Sequence, residues 1–163
     1  EYFDAMTTII RAHDGNVLEY VGDAILSVFG APSNLPDHAA KATICALQMR
    51  EALGYLNDEW LDRSISMVWQ EVGFDDLSAR IGLHTGRVIA GNMGSRDSMR
   101  YGVVGDPVNV AARLEALNKE LDTTILISGE VYRALPPALA KKAIDAGSHE
   151  LKGRAQAQKV YTF

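Results

Sequence analysis

Apolar residues recur at helical spacing from the first turn onward. Phe3, Met6, Ile9 and Ile10 mark one face of a helix over residues 1–12, and the polar run His13-Asp14-Gly15-Asn16 stops it. Two short β-prone runs follow, VLEYV and AILSVF, joined by Gly22-Asp23. Glycine accepts the positive φ of a tight turn, so this stretch predicts a hairpin with a carboxylate at its tip. The breaker sequence GAPSNLPDH then gives way to a long helix from about Pro36 to Leu56, with Asp37 at its positive end. Residues 57–77 keep no clean period and read as helix tail and loop.

Alternation returns in LSARIGLHTGRVIAGNMG, which predicts two strands broken at Thr85-Gly86, and MRYGVVGD predicts a third that ends at Gly105-Asp106. The period changes to helical in PVNVAARLEALNKEL, where Pro107 suits a first turn. There Val110, Leu114 and Leu117 face a core, and Asn109 and Arg113, four apart, share another face. TTILIS predicts a strand, GEVYRALP a short helix, and residues 143–163 strand-like pieces around ELKGR. Strands and helices mixed in this order predict an α+β fold, a sheet covered by helices.

At 163 residues the chain suits one domain, and 47% apolar with 23% charged residues is ordinary globular composition. The net charge of −5, with no block of lysine or arginine, argues against a nucleic-acid surface and leaves room for a small phosphate ligand that needs only a few placed cations. The single cysteine, Cys45, lies in an apolar helical run, reads as a small core residue and points to a reducing, cytoplasmic setting. No apolar run reaches bilayer length and no signal-peptide pattern opens the chain. The first residues are already helical and lack an initiator methionine, so the chain is expected to begin inside a larger protein with an upstream regulatory domain.

Three groups of side chains suit nucleotide chemistry. Asp23 at the hairpin tip is either a ligand for a hard cation or a turn aspartate bonded to its own backbone. Asn109 and Arg113 either present an amide and planar guanidinium donors to ribose and phosphate or lie on a solvated helix face. Lys152 and Arg154, around Gly153, are either a polyphosphate-binding turn or an exposed basic one. His84, in GLHTG, has no second histidine at metal-ligand spacing; it reads as packed or hydrogen-bonded, as do His13, His38 and His149. The absence of a G-x-S-x-G elbow, a CxxC pair and a Walker A loop disfavours a serine hydrolase, a zinc ribbon and a P-loop nucleotidase.

Taken in order, EYVGDAILSVFG, ARIGLHTGRVIAGNMGS, RYGVVGDPVNVAARLE and ELKGR resemble the catalytic domain of class III nucleotidyl cyclases over nearly the whole chain. The resemblance implies a ferredoxin-like βαββαβ core with added elements, working as a head-to-tail homodimer with active sites at the subunit interface. It implies attack of a ribose 3′-hydroxyl on the α-phosphorus, giving a cyclic 3′,5′-monophosphate and pyrophosphate, with two divalent cations, Mg2+ or Mn2+. It carries Asp23 onto the second metal aspartate, Asn109 and Arg113 onto the pair that orients ribose and stabilises the pentavalent phosphorus, and Lys152 onto the β/γ-phosphate ligand. The family's first metal aspartate lies in a strand upstream of the opening helix, so these 163 residues alone are expected to be inactive.

The purine-reading positions of the family fall on Glu19 and Gly102. ATP-using members usually have lysine at the first and aspartate or threonine at the second; guanylyl cyclases have glutamate and commonly cysteine. Guanine offers N1–H and its 2-amino group as adjacent donors that one carboxylate accepts together. Adenine offers an acceptor there, and a buried unpaired polar group costs about 1–3 kcal/mol. The Glu/Gly pairing resembles a cyanobacterial guanylyl cyclase, and GTP is the expected substrate. An adenylyl cyclase of relaxed selectivity and a non-catalytic regulatory or dimerising module are the alternatives.

Overall fold

The structure, a computed structural model, describes residues 1–151 and 157–163. Helix α1 (Tyr2–Ala12) leads into the hairpin of β1 (Gly15–Val21) and β2 (Ala24–Phe29), where Gly22 has φ 63° at the turn. A bulge between Val17 and Glu19 shifts the register, so Glu19 stands opposite Leu26. Helix α2 (His38–Asp62) runs six residues past the predicted end at Leu56, because Trp60 extends its apolar contacts through the polar stretch NDE. A single-turn helix α3 (Met67–Gln70) stands where a plain loop is expected. Such a turn is too short to leave a readable period.

Strand β3 (Ile81–Leu83) is followed by the hairpin of β4 (Ile89–Ser95) and β5 (Ser98–Val104). Helix α4 (Asp106–Leu121) carries Pro107 in its first turn and ends at Asp122, a left-handed residue with φ 52°. The chain closes with β6 (Ile125–Ser128), α5 (Gly129–Ala134), α6 (Pro137–Ala140), β7 (Ile144–His149) and β8 (Gln158–Thr162). The order of elements follows the sequence reading, with α3 and α6 as additions. The predicted strands at 143–163 flank ELKGR, and Lys152 and Arg154 lie outside the described residues.

Among the described residues the strands do not join one sheet. Four form the order β3-β6-β8-β7, with β3 and β6 parallel, while β1-β2 and β4-β5 are separate two-stranded ribbons. Among the described residues β3 is an edge strand and β2 pairs only with β1, and α2 packs against both. The core sits on the two faces of β6. Ile125 and Ile127 pack with Ala39, Ala46, Val131, Leu135 and Leu139, whereas Leu126 packs with Val110, Leu114, Leu117 and Val160. The two-residue period of a strand buried on both sides explains this division.

Helix α4 lies directly on β3. A Cβ on Gly82 would come 2.2 Å from the Ala111 carbonyl oxygen, so only glycine permits the approach. The buried Asn118 amide fastens the same junction, donating to the carbonyls of Ile81 (3.1 Å) and Leu114 (3.0 Å) while its oxygen accepts from the Thr123 hydroxyl (2.8 Å). This contact fixes the helix that carries Asn109 and Arg113. Among the described residues no helix is long and apolar enough to cross a membrane.

Candidate active site

The β1 and β5 ribbons meet around Glu19. A cavity of about 130 Å3 is lined by Leu18, Glu19, Leu26, Met93, Arg100, Tyr101, Gly102, Val103 and Val104. The two positions taken for purine readers, 83 residues apart in sequence, thus share one cavity in one chain. Gly102 stands opposite Gly91 in the β4-β5 ladder, and a Cβ at Gly102 would touch only the Met93 sulfur, at 3.5 Å. The floor is therefore bare by composition and not by steric need.

Sequence reasoning missed Arg100. Its Nη1 donates to Glu19 Oε1 at 2.6 Å, which holds the carboxylate across the gap between the ribbons. No local periodicity announces an ion pair between two hairpins; the alternation of β5, which sends Arg100 and Gly102 to one face, was the available signal.

Asp23 is exposed at the β1-β2 tip, and Tyr2, the first residue of α1, lies close enough to feel it. Burial foremost, and then the Asp23 charge, push the Tyr2 hydroxyl above its ordinary range. Neither Asp23, Asn109 nor Arg113 lines the Glu19 cavity. Asn109 is exposed on the first turns of α4, and Arg113 one turn on is half-buried. Its Nη1 is shut off from solvent without a hydrogen-bond partner among the described residues. A buried guanidinium donor left open is costly unless an anion completes it.

The histidines are bonded within the fold. The His84 ring is buried with Nδ1 2.9 Å from the Ser128 hydroxyl, and His38 Nε2 lies 2.9 Å from the Thr85 hydroxyl. His13 pairs with Gln48 at 2.7 Å and His149 with the Ala146 carbonyl at 2.7 Å. Cys45 is buried, and burial pushes its thiol up to about 12. Among the described residues no three His, Cys, Asp or Glu side chains gather to hold a metal ion. Asp23 offers a single exposed carboxylate, which fits an open magnesium-type site completed by substrate phosphates and by another carboxylate, and not a closed cage.

A family profile described as the adenylate and guanylate cyclase catalytic domain matches residues 1–163. The chain belongs to the class III nucleotidyl cyclases. This cyclase domain is 32% identical over 161 residues to adenylate cyclase 1 of Rhizobium meliloti, covering 99% of the domain and 23% of that protein. It spans between about a quarter and a third of the curated relatives it matches first. Its fold superposes on the guanylyl cyclase Cya2 with a TM-score of 0.79 at 31% identity, covering 99% of the domain and 75% of that chain. Against the adenylyl cyclase CyaB of P. aeruginosa the TM-score is 0.78 at 27% identity, covering 99% and 77%. The α+β architecture is thus the class III cyclase fold, and relatives of both purine types share it.

Proposed function

We propose that this domain is a guanylyl cyclase that converts GTP to cyclic 3′,5′-GMP and pyrophosphate, at sites completed by a second copy. The observation that carries the purine assignment is the Glu19 carboxylate in one cavity with Gly102, oriented by Arg100. A carboxylate accepts about four hydrogen bonds. With Oε1 engaged once by Arg100, Glu19 retains capacity for guanine N1–H and the 2-amino group. Gly102 brings no acceptor to repel guanine O6, and Arg100 has N–H donors to spare for that oxygen.

The other residues take roles that their places support. The open Nη1 of Arg113 suits an oxygen on the α-phosphorus, where charge grows as the 3′-oxygen attacks and the bond to the β-phosphate oxygen breaks. Asn109, one turn earlier on the same helix, orients the ribose beside it, and Lys152 holds the β/γ phosphates. Asp23 holds the divalent cations together with an aspartate supplied from a strand N-terminal to Glu1. Such a strand would find two sheet edges unpaired among the described residues beside α2, those of β2 and β3. Bound cations supply charge neutralisation for the leaving pyrophosphate.

The test is turnover of GTP and of ATP, each with Mn2+, by protein that includes the native residues preceding Glu1. Cyclic GMP is expected to form faster; faster formation of cyclic AMP would assign the domain to the second reading, an adenylyl cyclase of relaxed selectivity, the activity for which two of its curated relatives are named. The double variant Glu19→Lys with Gly102→Asp is expected to move preference toward ATP by about a hundredfold, two lost or mispaired hydrogen bonds of about 1.4 kcal/mol each. Because the Gly102 site has room for a side chain, unchanged selectivity in this variant would remove Glu19 from the assignment.

A further inference from the structure

The β4-β5 ribbon turns one face toward β1, and burial along β4 picks that face out: Gly91 and Met93, two apart, are half-buried between exposed neighbours. Their register partners on β5 are Gly102 and Arg100. Two glycines standing opposite each other leave bare backbone, and a Cβ on Gly91 would meet nothing within 4 Å. Among the described residues, the side chain that reaches over Gly102 is Met93, whose sulfur lies 3.5 Å from the place of a Cβ there. On the facing ribbon the bulge in β1 lets Leu18 and Glu19, consecutive residues, both line the cavity.

Met93 therefore covers the place that a side chain at position 102 would take, and does so with chemistry of its own. A thioether is soft and adaptable and accepts hydrogen bonds only weakly. With Leu18 and Leu26 it makes the cavity wall apolar, while the charged groups in the lining are Glu19 and Arg100. Arg100, opposite Met93 in the ladder and bonded to Glu19 at 2.6 Å, sets a donor beside that wall. An acceptor on a bound base finds the guanidinium there. A donor finds another donor on one side and sulfur on the other, with water kept out.

We infer that Met93 is the second specificity-determining side chain of the purine pocket, reading the substituent at C6 in place of the side chain that Gly102 lacks. This rests on the purine assignment of the Glu19 cavity proposed above. Guanine O6 accepts from Arg100 and asks nothing of Met93. The 6-amino group of adenine gives up its water for a weak sulfur acceptor, and a polar group so buried is left short of a partner. Glu19 reads the other edge, N1 and the 2-amino group. The two readings are therefore separable: a carboxylate answers for one edge of the base and a thioether for the other.

The test measures kcat/KM with Mn2+ in the full-length protein and its variants for GTP, ATP and inosine triphosphate, which keeps O6 and lacks the 2-amino group. Met93→Leu keeps an apolar wall and is expected to hold the GTP/ATP ratio within about twofold of the parent. Met93→Gln, close in size, turns its amide to meet either substituent and should lower the ratio about tenfold by raising turnover of ATP. Met93→Ala admits water to the C6 edge and should move the ratio in the same direction. In every variant the ratio of GTP to inosine triphosphate, which Glu19 governs, is expected to stay at the parent value. A GTP/ATP ratio unchanged in the Gln and Ala variants, or a loss shared equally by all three nucleotides, overturns the inference. Preference of the parent for ATP would overturn the purine assignment instead, and the shift of the ratio toward ATP in Met93→Gln would still decide the role of Met93.

Discussion

Glu19 and Arg100 show how much a motif reveals and where it stops. The spacing of Glu19 and Gly102 from their glycine corners was legible in the sequence, because turn glycines are fixed landmarks. That Arg100 reaches across 81 residues to grip the carboxylate was not, because the pairing depends on how two hairpins lie together. The pair is largely exposed, so it adds at most about 1 kcal/mol to stability and its value is orientation. Arg100→Ala is therefore expected to leave the melting temperature in place and to lower kcat/KM for GTP about tenfold, the worth of one oriented hydrogen bond. ATP turnover should hardly change, and Arg100→Lys should recover part of the loss. Equal losses with both nucleotides would show that Arg100 serves something other than the purine.

Helix α1 joins the hairpin to the rest of the domain. Tyr2, Phe3 and Tyr20 form an edge-to-face chain, with centroids 5.4 and 5.1 Å apart, that ends beside Glu19. At its other end the Glu1 carboxylate accepts from Trp60 Nε1 (2.6 Å) and from Arg63 (2.9 and 3.0 Å), tying α1 to the last turn of α2. The amphipathic period announces α1 itself, but this tie spans about 60 residues and extends α2 through polar sequence, which is why α2 was read short. Hydrogen bonds from Arg63 and then Trp60 hold the Glu1 carboxyl at about 2, below its ordinary 4.5. A depressed folded value means the tie is complete above pH 4.5 and is lost as pH falls from there through about 2. In a Trp69→Phe background, Trp60 emission is expected to shift over that window, and Glu1→Gln should abolish the shift. Identical titrations of the two proteins would place the acid response elsewhere.

At the scale of the whole molecule the α+β class was readable from the order of elements, but the division into one four-stranded sheet and two ribbons was not. β3 and β4 follow each other in sequence without pairing, and β3 finds β6 some 44 residues later. The two ribbons leave Tyr20, Val21, Ile89, Met99 and Val104 exposed, an apolar surface suited to a second copy. We propose that in a head-to-tail homodimer Asp23 of one subunit works with Glu19, Asn109 and Arg113 of the other, so that one hairpin contributes its two carboxylates to two different sites. Asp23→Asn and Arg113→Ala should each abolish turnover alone. Mixed one to one, half of the dimers are hybrid, and each hybrid has one site with both defects and one with neither. The mixture should therefore recover about a quarter of the parent activity, rising as either variant is added to a fixed small amount of the other. A mixture as inactive as its components would mean that Asp23 and Arg113 act within the same chain, and the two carboxylates of the hairpin would then belong to a single site.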